Sequence, residues 1–249
     1  MAKNLILHIP HSSDRFPNRK GFLIDKDALN KEALKLTDWY TDDLFSFSNS
    51  VAIKAEFSRI FCDPERFSDD SQEVMAKVGM GVLYEKSDDG SVMREVGQEL
   101  REEILNGYYW PHHERLTQEV DKELEINGKA VIIDCHSFPS KPLFRDLDQN
   151  ANRPDFSIGT DPFHTPKYLI DLSKDFFKQK GFSLGIDLPY SGSLVPLKHY
   201  GKTKEVESIM LEINRALYLN EPGNEKSGDY AAIKETVRAY LDLILGEGV

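Results

Sequence analysis

The sequence predicts an α/β fold: a three-layer α/β/α sandwich around a mixed, mostly parallel sheet. Three observations lead there. Short apolar runs such as Leu5–Ile9 (LILHI) read as buried strands that stop abruptly at polar or Pro-containing sequence. These runs alternate with long segments whose apolar residues recur at helical spacing. The chain of 249 residues is 40% hydrophobic and 29% charged, which suits one globular domain over 1–249 with a core of ordinary size.

The elements follow in order. Residues 5–9 form the first strand, which ends at Pro10. Residues 30–47 carry Ala33, Leu36, Tyr40, Leu44 and Phe47 at helical spacing, in one helix or in two pieces with Thr37 capping the second. Residues 51–61 (VAIKAEFSRIF) read as one strand or two, and 68–90 as loop. A long helical pattern over 93–127 is interrupted near Gly107 or Pro111. Residues 130–134 (AVIID) are a second buried strand running into CHSFPS. A short strand at 155–159, an amphipathic helix over 165–180 ending at Gly181, a strand at 182–186, a turn at 189–192, a strand at 208–213 and a C-terminal helix over 230–245 complete the pattern.

Composition excludes several classes of function. A formal net charge of −11 without a Lys/Arg-rich run argues against nucleic-acid binding, which needs clustered cations. No apolar stretch approaches the roughly 18 residues of a membrane span. The first residues, MAKNLILHIPHSS, lack the apolar run and cleavage site of a signal peptide, so a cytoplasmic protein with reduced Cys62 and Cys135 is expected. An acidic chain binds an acidic substrate only where a metal ion or arginines supply local positive charge.

Chemistry-bearing residues cluster at three strand ends. His11 follows the first strand, Asp134-Cys135-His136-Ser137 ends the AVIID strand, and Glu212 lies within SIMLEI. Ligands of open α/β sheets sit beyond the carboxyl ends of strands. Two such histidines and a carboxylate make a three-ligand zinc site with a fourth position free for water. Glu212 among apolar neighbours is the candidate general base, because desolvation raises a carboxyl pKa. Each residue also has a structural role open to it: a hydrogen-bonded strand-end histidine, a solvent-facing Glu212, an Asp134 that turns the chain or orients His136. Cys135 beside His136 does not make a nucleophile–base pair, since adjacent strand residues face opposite ways. His164 in DPFHT is given no role, and the His112-His113 pair, in a helical stretch rich in aromatics, fits packing better than catalysis.

The ordered blocks IPHSS (9–13), TDWYTDDL (37–44), SRIFCDPER (58–66), IDCHSFPS (133–140), RPDFSIGTDPFHTP (153–166), PYSG (189–192) and MLEINRALYL (210–219) resemble the N-formylglutamate amidohydrolase family. That family is similar in fold and site plan to zinc carboxypeptidases and aspartoacylase-type deacylases. The resemblance implies a phosphorylase/hydrolase-like sandwich holding one Zn²⁺. It implies His11 and His136 as ligands, Glu212 as base, and Asp38 as the carboxylate ligand, with Asp14, at the HxxE-like spacing from His11, as its alternative. The block SRIFCDPER resembles a stretch that ends in an Asn-Arg pair, with Glu65 in place of the Asn. Arg59 and Arg66 then bind substrate carboxylate or the carbonyl oxygen. Tyr190, Ser191 and Gly192 form a substrate-side loop.

The implied reaction is hydrolysis of a small anionic N-acyl amino acid, N-formylglutamate above all. Two other readings stand beside it: deacylation of another N-acyl amino acid or peptide-like amide, and a non-catalytic binding protein that retains the fold. Glu212 discriminates the last of these, because hydrolysis loses its base if that side chain points away from the histidines.

Overall fold

The computed structural model describes residues 4–247. Six strands form one sheet in the order β2-β1-β3-β6-β4-β5. They are β1 (Leu5–Ile9), β2 (Ser50–Lys54), β3 (Ala130–Phe138), β4 (Phe156–Gly159), β5 (Leu184–Ile186) and β6 (Val206–Asn214). β2, β1, β3 and β6 run parallel; β4 pairs antiparallel with β6 and carries β5 parallel to itself. The helices are α1 (Lys26–Leu36), α2 (Thr41–Leu44), α3 (Gln98–Ile104), α4 (Trp110–Asn127), α5 (Lys167–Lys180) and α6 (Tyr230–Glu247). The architecture is the mixed, mostly parallel α/β sandwich expected from the alternating pattern.

The two-residue period of the strands sorts their side chains between the layers. Leu5, Leu7 and Ile9 of β1, Ile133 and Cys135 of β3, and Ile209, Leu211 and Ile213 of β6 share a core with α5 and α6, through Leu169, Phe177, Val237, Leu241 and Ile244. Ile6, Ile132 and Val206 pack instead against Leu116 and Val120 of α4. Beyond Ile6 and Ile132 this second face turns polar. His8, Asp134, His136 and Glu212 continue the same alternation toward the carboxyl ends of the strands, with His8 opposite Asp134 and His136 opposite Glu212 in register. The apolar core thus ends where the polar site begins.

Several boundaries differ from the sequence-based expectation; the segment read as strand over 51–61 is strand only to Lys54, and 55–61 turns away from the sheet. β3 runs to Phe138 rather than to Asp134, because Cys135 to Phe138 pair with Leu211 to Asn214 of the equally long β6. Thr37 ends α1, its N–H donating to Ala33 O, and α2 starts only at Thr41 behind Tyr40. The interruption near Gly107 is a π-helical turn over Leu105–Tyr109 that joins α3 to α4. Among the described residues no helix is long and apolar enough to cross a membrane.

Candidate functional site

His11 lies two residues past β1, and its carbonyl accepts the N–H of Asp38, which fixes the segment after α1 against the end of the strand. His136 projects from β3. The two rings meet through Nδ1, 3.3 Å apart. Asp38 Oδ2 lies 3.7 Å from His11 Nδ1 and 3.1 Å from His136 Nδ1. All three side chains are buried.

The other nitrogen of each ring is held by carboxylates. His11 Nε2 donates to Asp63 Oδ1 at 2.8 Å, and His136 Nε2 lies 3.1 Å from Glu65 Oε2 and 3.2 Å from Asp134 Oδ1. Protons on both Nε2 atoms leave two neutral rings presenting Nδ1 lone pairs to one another and to a carboxylate oxygen. Such an arrangement lacks a hydrogen to share, and a cation satisfies it. Zinc bonds to imidazole of 2.0–2.1 Å at tetrahedral angles separate two nitrogens by about 3.4 Å, close to the observed spacing. Carboxylates behind ligating imidazoles are the usual orienting partners.

Charge points the same way. Five carboxylates (Asp38, Asp63, Glu65, Asp134, Glu212) and three guanidiniums (Arg59, Arg66, Arg215) gather here; Glu65, Arg59 and Arg66 are half-buried and the other five are buried. Burial opposes charge on the His136 ring, yet Glu65 and Asp134 lift its pKa well above the ordinary value, so the surroundings of this ring favour positive charge.

A looser donor set replaces Asp38 by Glu65, whose ligand atoms lie with those of His11 and His136 within 4.8 Å of one another. The Asp38 set is tighter, and Glu65 approaches His136 on its Nε2 side, away from the facing Nδ1 pair. Asp38 therefore fits the cation position better. Its remaining oxygen, Oδ1, accepts from Arg215 Nη2 at 2.9 Å, and its Oδ2 accepts from the Ser137 N–H at 3.2 Å. Asp14, the alternative carboxylate, is exposed and takes no part in the cluster, because the chain from Ser12 onward leaves the sheet edge.

Glu212 stands opposite His136 on β6, on the same face. Its Oε2 is buried without a hydrogen-bond partner among the described residues. Burial raises its pKa to about 8; His136 works against the rise, while Asp38 and Glu65 add to it. Desolvation of this kind is how a carboxyl is tuned toward general-base work at neutral pH. Cys135 points to the opposite face and packs in the α5–α6 core, where burial pushes its thiol pKa well up.

A cavity of about 290 Å³ opens over these groups, lined by His11, Asp38, His136 and Glu212 and by the cations Arg59, Arg66, Arg145 and Arg215. Arg59 Nη2 donates to Asp63 at 3.1 Å. Arg66 lies 3.7 Å from Asp63, and no acceptor engages its Nη atoms among the described residues. Tyr190 and Ser191 line the cavity wall; the Tyr190 hydroxyl donates to Asp146 Oδ1 at 3.0 Å. Gly192, expected in the same loop, does not line the cavity; its carbonyl lies instead against Gly159 of β4.

Sequence reasoning missed two groups. Arg215 was passed over inside the block that carries Glu212, although it clamps Asp38, the Ser137 hydroxyl and the Lys35 carbonyl. Its signal was a lone Arg three residues after a candidate base. Asp63, inside the block SRIFCDPER, was given no role, yet it is fully buried and orients His11.

Comparison with known proteins gives the family and the fold. The family model described as N-formylglutamate amidohydrolase matches residues 3–219. A curated relative, the N-formylglutamate deformylase of Pseudomonas putida, is 27% identical over 232 residues, covering 87% of this chain and 82% of that protein. The crystal structure of N-formylglutamate amidohydrolase from Ralstonia eutropha superposes with a TM-score of 0.85 at 22% identity, covering 100% of this chain and 96% of the other. A gene product of Agrobacterium tumefaciens superposes with a TM-score of 0.70 at 18% identity, covering 99% and 91%. The two structural likenesses speak to the fold.

Proposed function

The chain belongs to the N-formylglutamate amidohydrolase family, and on that premise we propose that it is a zinc-dependent hydrolase cleaving N-formylglutamate to formate and glutamate. The observation that carries the reading is the facing pair of Nδ1 atoms with Asp38 beside them and an unpartnered Glu212 on the same strand face. A zinc ion held by His11, His136 and Asp38 would polarise the formyl carbonyl and lower the pKa of a water to roughly 7.

The remaining steps belong to side chains of this chain. Glu212 takes a proton from the attacking water and delivers it to the amide nitrogen as the C–N bond breaks. Arg59, held by Asp63, faces the negative charge that develops on the carbonyl oxygen. The free fork of Arg66 receives a substrate carboxylate. Tyr190 and Ser191 wall the amino-acid side of the cavity. Arg215 touches no substrate in this scheme; it holds Asp38 in place.

One observation favours a second reading, deacylation of a larger N-acyl amino acid. Leu36, Met75, Met80, Leu143 and Leu147 also line the cavity, so part of its wall is apolar. Formate release from N-formylglutamate, compared with acetate release from N-acetylglutamate and from N-acetylated apolar amino acids, separates the two. Glu212→Gln is expected to keep its zinc and lose about 10²- to 10⁴-fold in kcat. A full rate in that variant would remove Glu212 as base, and a zinc-loaded protein inert toward N-formylglutamate would remove the substrate assignment.

A further inference from the structure

A second cavity of about 180 Å³ lies on the α4 side of the same sheet edge. Lys54, the last residue of β2, is at its wall, so the cavity sits beyond the carboxyl end of a parallel strand, where α/β sheets bind ligands. Arg15 and Arg115 join Lys54 around it, against the single carboxylate of Glu56. None of the three cations has an ion-pair partner within 4.0 Å among the described residues. In a chain of net charge −11 such a concentration of unpaired positive charge needs a reason. Phe57 and Tyr108 supply aromatic wall, and Tyr108 belongs to the π-helical turn, a distortion frequent at functional sites.

The floor of the cavity is connected to the metal-site candidates. His112 lines it while only 3% exposed, and burial pushes its pKa down to about 2, so the ring is neutral. His112 Nε2 is 2.9 Å from His8 Nε2. His8 Nδ1 donates to Asp134 Oδ1 at 2.8 Å, and the same oxygen lies 3.2 Å from His136 Nε2. The file His112–His8–Asp134–His136 is continuous, and its members are buried.

We propose that this basic cavity is an effector site for a small anion bearing phosphate or carboxylate oxygens, and that its occupancy reaches His136 through the His112–His8–Asp134 file. Such an anion meets Lys54, Arg15 and Arg115 and takes the free edge of the His112 ring. Turning that ring withdraws the acceptor from His8, which then shifts against Asp134, the carboxylate that steadies His136.

The anion site is independent of which amide the enzyme cleaves, so binding is read first without turnover. The full chain, ¹³C/¹⁵N-labelled at histidine, is titrated with sodium sulfate and separately with sodium succinate at a constant ionic strength of about 0.1 M, which screens non-specific attraction. A saturable shift of the His112 ring resonances is expected. Tighter sulfate binding assigns the site to phosphate-type anions, and tighter succinate binding to carboxylates. The charge reversal Lys54→Glu/Arg115→Glu, at a half-buried and an exposed position, should weaken binding at least about tenfold. Absence of a saturable shift, or a shift untouched by the charge reversal, overturns the site. For the coupling, the saturating anion should change kcat for N-formylglutamate at least twofold in the parent enzyme and leave the double variant unchanged. An equal change in both, or none in the parent enzyme, overturns the coupling.

Discussion

Burial of Glu212 raises its pKa to about 8, well above the roughly 4.3 of an unfolded glutamate. The folded, metal-free chain therefore binds a proton here that the unfolded chain releases. The sign follows: the stability this group contributes is complete below about pH 4, falls as the pH rises, and is gone above about pH 8. Glu212→Gln keeps the shape and abolishes the titration. After chelation of metal, the variant should match the parent in urea midpoint near pH 5 and exceed it by on the order of 1–3 kcal/mol at pH 8.5. A constant difference across that range would show that Glu212 is not desolvated. Arg66 makes the complementary case. Its Nη atoms meet no acceptor among the described residues and its Nε lies 3.7 Å from Asp63, so Arg66→Ala should lower the thermal midpoint only slightly. It should raise KM by about 10- to 100-fold, the loss of one charged hydrogen-bonded contact of about 1.5–3 kcal/mol. These roles were readable to unequal degree: Glu212 announced itself as a charge inside an apolar run, whereas Asp63 and Arg215 act through partners 52 and 177 residues away, and pairings of that range leave no local trace.

Strand and helix types were legible because periodicity is a local property, and their ends were not, because pairing decides them. β3 continues through Cys135–His136–Ser137 because the neighbouring β6 offers backbone partners that far. The consequence is chemical: His136 is clamped mid-ladder rather than placed on a loop, which fixes its ring direction. The junction of β4 with β6 shows how tightly that edge is packed. A Cβ at Gly159 would lie 2.1 Å from Gly192 O and 2.3 Å from Met210 Cε. The methionine can move, but the backbone carbonyl cannot without displacing the 190–192 loop. Gly159→Ala should therefore destabilise the fold by about 1–3 kcal/mol and raise KM through Tyr190 and Ser191, both measurable by urea unfolding and steady-state kinetics on one preparation. Phe177→Ala, in the α5 core that packs Phe156 and Tyr240, should cost about 3–5 kcal/mol and leave KM alone at temperatures where the variant is folded.

At the scale of the molecule, the site acts as a tie between segments far apart in sequence. His11 follows β1, Asp38 follows α1, and His136 belongs to β3, so a cation shared by the three closes loops of about 25 and 100 residues onto the sheet edge. In its absence the same contacts juxtapose nitrogen lone pairs and buried carboxylates, which repel unless protons are taken up. A cation that binds only the folded chain stabilises it by RT ln(1 + [L]/Kd), about 4 kcal/mol at a thousandfold excess over Kd. Chelation should accordingly lower the thermal midpoint by several degrees, and zinc should restore it. The loss should also be uneven. The core between the sheet and α5–α6 is apolar and independent of the cation, so its amides should keep their slow hydrogen exchange. The segments 10–15 and 37–41 are fixed to the sheet edge by the His11–Asp38 backbone bond and the candidate metal cluster, so their exchange should accelerate. Uniform acceleration across both regions would mean that the cation supports global stability alone. No acceleration near Asp38, with the metal shown to be gone, would transfer the carboxylate role to Glu65, whose segment would then be the one to loosen.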